Sequence, residues 1–139
     1  MLKKILFGGE TGLSPQANAA LAMLRIFVGV SLMLTHGLGK MPPSDGFVQG
    51  TSAIGFPIPI VFAWAAAFSE FLGGAFLALG LFTRVAAFFI CFTMATALIG
   101  VHYHDPYAKK ELAFLYFFVA ATFLIKGSGD WSIDKFLRK

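Results

Sequence analysis

Phe68-Ser69-Glu70-Phe71-Leu72-Gly73-Gly74 lies in the middle of an apolar run from about Pro57 to Phe82, and Glu70 is the one ionisable side chain in that run. The run is long enough to cross a bilayer, which takes roughly 20 apolar residues. An acidic side chain at the centre of such a helix costs at least ~2.5 kcal/mol on insertion scales, so it is expected to face protein and to have a partner. Two questions follow: what neutralises Glu70, and whether the arrangement does chemistry.

Working outward, the 139 residues are 58% hydrophobic and 13% charged, with a mean hydropathy of +0.77. Soluble domains carry roughly 25% charged residues, so the composition predicts a membrane protein. Apolar runs are expected at about 17–37, 58–82, 85–103 and 110–126. The fold class predicted is all-α, an integral membrane four-helix transmembrane bundle. Residues 1–16 form an N-terminal arm, 17–126 the membrane domain and 127–139 a polar tail. Met1 to Phe7 begins like a signal peptide, but Gly8-Gly9-Glu10 ends its apolar part too soon, and no cleavage is expected.

The formal net charge is +4. Apart from Arg25 the basic residues sit at the termini and in loops, which is not a nucleic-acid signature and reads instead as an orientation signal. Lys3, Lys4, Arg84, Lys126, Lys135, Arg138 and Lys139 fall on one side, and Lys40, Lys109 and Lys110 on the other. The positive-inside rule then makes both termini cytoplasmic. The location expected is a bacterial inner membrane, crossed several times. The single cysteine, Cys91, excludes an intramolecular disulfide and a CxxC redox pair.

Ser14-Pro15 is a helix start, with Ser14 as cap and Pro15 in the first turn. Arg25 is the one permanent charge in the first run, and Gly37, Gly39, Pro42 and Pro43 end that helix. Residues 41–59 link the first two runs, and Phe47, Val48 and Ile54 predict a short amphipathic piece on the bundle end. Ala63, Ala66, Ala67, Glu70, Gly73, Gly74 and Leu77 share one face of the second run, and small residues there allow a second helix to approach closely.

Arg25 and Glu70 each lie about 12 residues from the outer ends of their runs, at a common depth of roughly 18 Å. The expectation is an Arg25–Glu70 ion pair in the bundle core. It reads either as structural glue that fixes register or as a site that binds an anion, polarises a quinone carbonyl or relays a proton. His36 lies three helical turns plus about 20° beyond Arg25 and is predicted on the same face. His36, His102, His104 and Lys40 would then form a polar mouth above the pair. The histidines read as interfacial groups bonded to loop backbone, as a proton shuttle, or as ligands for a metal or haem. No HxxH or ExxH spacing supports the metal reading, and none is assigned.

A set of short motifs spans about residues 18–135: Arg25, Gly29, His36-Gly37 and Lys40; Gly55-Phe56-Pro57; Glu70 with Gly73-Gly74; Leu79-Gly80 with Thr83-Arg84; and Gly127-Ser128-Gly129 with Ser132-Ile133-Asp134. In order and spacing they resemble the DoxX family of small four-helix membrane proteins. That resemblance implies kinship with a membrane subunit of thiosulfate:quinone oxidoreductase and with oxidative-stress and detoxification systems. The paired cysteines of the related thiol-redox branch are missing here.

The function expected is a quinone-linked membrane redox component, one subunit of a larger assembly. Glu70, Arg25 and His36 are the candidate catalytic residues; Lys40, His102 and His104 are the candidate ligand-binding residues. A quinone is the candidate cofactor. The partners are the lipid bilayer, a soluble or membrane redox protein supplying electrons, and further copies of the chain. The alternatives are a binding or transport module for a small anion or lipid, and a scaffold that anchors partners.

Overall fold

The computed structural model describes residues 6–138. Lys3, Lys4 and Lys139, which entered the charge comparison, lie outside the described residues. Among these there is no strand, and six helices follow in order. They are α1 (Pro15–Lys40), α2 (Asp45–Ala53), α3 (Pro59–Leu79), α4 (Thr83–Val101), α5 (Tyr107–Lys126) and α6 (Ile133–Leu137). α1, α3 and α4 are long and apolar enough to cross a membrane. α5 is as long, but Lys109, Lys110 and Glu111 crowd charge into its first turns.

The start of α1 follows from its cap. The Ser14 hydroxyl accepts from the Ala17 N–H at 3.2 Å, and Pro15 fills a position where no N–H is needed. The helix then changes pitch, passing from α (Pro15–Ser31) through a π segment (Leu32–Gly37) into a 3-10 end (Leu38–Lys40). α4 ends in a π segment as well, over Ala97–Val101.

α1 runs against α3, α3 against α4, and α4 against α5, with α2 laid on α3. Leu32, Leu77, Ile90, Met94, Tyr116 and Phe123 form the buried core. The outside is apolar: Phe27, Ile99, Phe118 and Ile125 are each exposed. A soluble bundle would put charge there, so this inverted pattern is that of helices solvated by lipid.

Two glycine contacts fix how α1 and α3 meet. A Cβ on Gly29 would come within 2.5 Å of the Gly74 carbonyl oxygen, and one on Gly37 within 2.5 Å of the Phe71 Cα. The two backbones therefore touch at both points, which is possible where neither glycine has a side chain. Gly37 thus lies opposite Glu70 and Phe71, in the middle of α3. Aligning the ends of the two runs had put it opposite Ile58, so α1 is displaced along α3 by about a dozen residues. α2 lies along α3 on the side that α1 leaves open.

Candidate functional site

The displacement of α1 changes the partner of each buried charge. Arg25 is 2% exposed and does not meet Glu70. Its Nη1 donates to the carbonyls of Leu77 (3.1 Å) and Ala78 (2.8 Å), and its Nη2 to that of Trp131 (2.7 Å). These first two carbonyls belong to the last turn of α3, where the Leu77 oxygen also accepts from the capping Gly80 N–H at 3.1 Å. A cation there satisfies them and opposes the negative end of the helix dipole. The expected Arg25–Glu70 pair is therefore corrected: Arg25 caps α3 from a neighbouring helix.

Asp134 completes this clamp. It is 1% exposed, and its carboxylate accepts from the N–H groups of Phe82 (2.7 Å) and Thr83 (3.0 Å) at the start of α4. Its own N–H donates to the Gly80 carbonyl at 2.8 Å. The turn from Gly80 to Thr83 is thus held by Asp134 at its Gly80 carbonyl and at its Phe82 and Thr83 N–H groups, with the Arg25 cation on the two α3 carbonyls just before it. Gly80 has φ +66°, and a Cβ there would lie 2.3 Å from the Arg25 Nη1. Asp134 did not emerge as a site residue from the sequence, where it enters only as part of the polar tail and of the Ser132-Ile133-Asp134 motif.

Glu70 is 3% exposed and pairs with Lys40, whose Nζ lies 2.8 Å from Oε1 and 2.6 Å from Oε2. Lys40 was expected at the mouth. The slide of α1 carries it down to the level of Glu70, and its ammonium also lies 5.3 Å from the Phe47 ring centroid. Two N–H groups of the ammonium face the carboxylate, which leaves a third donor direction.

This pair forms part of the wall of a cavity of about 460 Å³ between α2, α3 and α4. Its apolar wall includes Phe47, Phe56, Phe62, Phe89 and Phe92. The polar groups along it are Lys40, Glu70, Thr51, Thr93, Thr96 and His102. Among its α3 residues Glu70 lies nearest the clamp, whereas Val101 and His102 mark the far end. The cavity is therefore a largely aromatic slot with an ion pair at one end and an imidazole at the other, the general make-up of a small-molecule site.

The histidines divide. His102 lines the cavity, and its Nδ1 lies 2.7 Å from Asp105 Oδ2. That contact holds the Asp105 carboxyl below the ordinary carboxylate range, with Lys109 and Lys110 adding to the effect against a smaller desolvation. His104 is exposed and stands edge-on to the Tyr103 ring. His36 does not line the cavity; its ring packs edge-on against Tyr116 of α5, with centroids 5.6 Å apart. The π segment explains why: it turns less per residue than an α-helix, so counting 100° per residue from Arg25 fails beyond Ser31. Among the described residues no three His, Cys, Asp or Glu side chains come together as a metal set.

Comparison with known proteins shows a family. The DoxX family model matches residues 20–103, which hold α1 from its second turn onward, all of α2, α3 and α4, and the cavity wall they supply. "Inner membrane protein YphA" of Escherichia coli (strain K12) is 36% identical over 90 residues, spanning 64% of either chain and so just under two thirds of that protein. An uncharacterised protein of Haemophilus influenzae is 37% identical over 128 residues, spanning 86% of this chain and 92% of that one. "Putative oxidoreductase CatD" of Bacillus subtilis (strain 168) is 28% identical over 118 residues, spanning 84% of this chain and 86% of that one. No solved structure matches. With apolar membrane-length helices and a family match over most of the bundle, the chain belongs to the DoxX family.

Proposed function

We propose that the protein is a quinone-linked redox component of the bacterial inner membrane, built on four crossings by α1, α3, α4 and α5. The observation that carries this reading is the aromatic cavity ending on the Lys40–Glu70 pair. The oxidoreductase in the name of the Bacillus subtilis relative supports it. A flat ring suits a slot walled by Phe47, Phe62 and Phe92.

Bound there, a quinone would supply two-electron, two-proton chemistry. Lys40 offers its third N–H to a carbonyl oxygen while Glu70 keeps the ammonium neutralised. Glu70 is the group placed to hold or release a proton at that end, and His102 at the other. Electrons come from a partner protein. Because the pair is already neutral, an uncharged oxygen-bearing ligand suits the slot better than an anion, which favours the redox reading over an anion carrier. In this assignment Arg25 is structural, and His36 and His104 stand outside the site.

The test is equilibrium binding of ubiquinone-1 to protein in lipid nanodiscs. Saturable binding is expected, weakened about tenfold or more by Lys40→Ala through loss of a charge-assisted hydrogen bond. His36→Ala and His104→Ala should bind as the parent does. Absence of saturable binding, or full affinity in Lys40→Ala, would overturn the reading.

A further inference from the structure

The cavity wall is unusual on the α2 side. Gly46 and Gly50 both line it and both are exposed, one turn apart on the same face of α2. A Cβ at either position would meet nothing within 4 Å. The two glycines therefore bound an opening rather than a packed contact. Across the cavity stand Phe89 (51% exposed) and Phe92 (52% exposed) of α4.

Position along α4 decides what the opening faces. Phe89 and Phe92 lie roughly 9 and 14 Å along the helix from Thr83, near the middle of its length. Exposed phenylalanine at that height in a membrane-length helix is in contact with the hydrocarbon layer. The chain tightens elsewhere around the cavity: at the far end Ile54 packs on Gly100, where an added Cβ would lie 3.2 Å away. The opening thus gives onto lipid at mid-depth, close to the level of the Lys40–Glu70 pair.

We infer that the cavity is loaded sideways from the bilayer, through a window between the Gly46/Gly50 face of α2 and the Phe89/Phe92 face of α4. Its ligand is a membrane-dissolved lipophile with a flat carbonyl-bearing head and an apolar tail. The head reaches the Lys40–Glu70 pair and the tail leaves through the window into lipid. This inference rests on the quinone reading and adds where the ligand comes from and which part of it remains outside.

Gly50→Phe tests it, because the new side chain meets open space and Phe fits a helix better than Gly does. The variant should keep the parent's melting temperature while its ring obstructs the window. Affinity is measured in nanodiscs for decylubiquinone and for the same quinone head without a tail. The parent should bind the decyl compound more tightly than the bare head. Gly50→Phe should lose about tenfold for the decyl compound and change by less than about twofold for the bare head. Equal affinity of parent and variant for the decyl compound overturns the window, as does a parent that gains nothing from the tail, and both leave the quinone reading standing. A parent that binds neither compound ends both.

Discussion

Arg25 and Glu70 are the two charged residues that the sequence places deep inside apolar helices, and their partners differ in kind. Arg25 donates from Nη1 and Nη2 to backbone carbonyls of Leu77, Ala78 and Trp131 and leaves its buried Nε without a partner, whereas Glu70 takes both contacts from one ammonium. The two share no partner, so truncating both should be additive: the Arg25→Ala/Glu70→Gln cycle is expected to couple by less than about 0.5 kcal/mol. The Lys40→Ala/Glu70→Gln cycle should couple by about 1–3 kcal/mol, since each single variant strands a half of one pair. Thermal unfolding of the six proteins in one detergent (the parent, three single and two double variants) measures both cycles, and strong Arg25–Glu70 coupling would contradict the contacts seen. Glu70 was legible in the sequence because a lone carboxylate in a long apolar run is conspicuous. Its partner was not, because partner identity depends on the axial offset of two helices. Depth counted from helix ends assumes an offset of zero, and that assumption selected Arg25 over Lys40.

The offset is set by glycines whose importance differs sharply between neighbours. Gly74 faces α1, where an added Cβ would lie 2.7 Å from the Gly29 carbonyl oxygen and 3.0 Å from the Met33 nitrogen. Gly73 faces α4, where the nearest atom is the Ile90 Cγ1 at 3.4 Å, an ordinary contact. Gly74→Ala should therefore force α1 and α3 apart and cost about 1–3 kcal/mol, as overpacking does. Gly73→Ala should stay within about 0.5 kcal/mol of the parent. Melting temperatures of the pair decide it, and the reverse order would remove the glycine account of the register. The sequence showed a face of small residues but not which of them touches backbone. The segment after α5 was equally opaque, since its polar residues act by folding back. Asp130 there accepts from the N–H groups of Gly12 and Leu13 and from Asn18, and pairs with Lys135 at 2.7 Å. The Lys135 contact, with help from Leu13 and Asn18, draws its pKa from 3.8 down to about 2. A carboxylate depressed on folding stabilises the protein above its unfolded value, and that stability is lost as the pH falls through the folded one. The melting temperature of the parent should thus drop from pH 4 toward 2, and Asp130→Asn should be lower at neutral pH with a flatter acid limb.

At the scale of the molecule the clamp and the cavity occupy opposite halves, and the charges sort with them. Arg84 and Lys126 lie at the clamp end: Arg84 donates to the Ile125 carbonyl at 2.8 Å, and Lys126 pairs with Glu10. Lys135 and Arg138 belong to the same folded tail. The opposite end has Lys109 and Lys110, because Lys40 is drawn down to Glu70 and no longer counts as a loop charge. Among the described residues the clamp end thus holds four of these cations and the opposite end two, and the side with more loop lysine and arginine is expected in the cytoplasm. α5 must also cross for both termini to share that side. Its charges sit in the first turns, where the long stems of Lys109 and Lys110 can reach the interface, and the rest of the helix is apolar down to Lys126. A cytoplasm-active fluorescent reporter fused after Arg138 should therefore light up, and the same reporter inserted after His104 should stay dark. A periplasm-active phosphatase at the two positions should give the converse pattern. Cytoplasmic signal from the His104 insertion alone would reverse the orientation, and the same compartment for the His104 and Arg138 positions would mean that α5 lies along the membrane instead of crossing it.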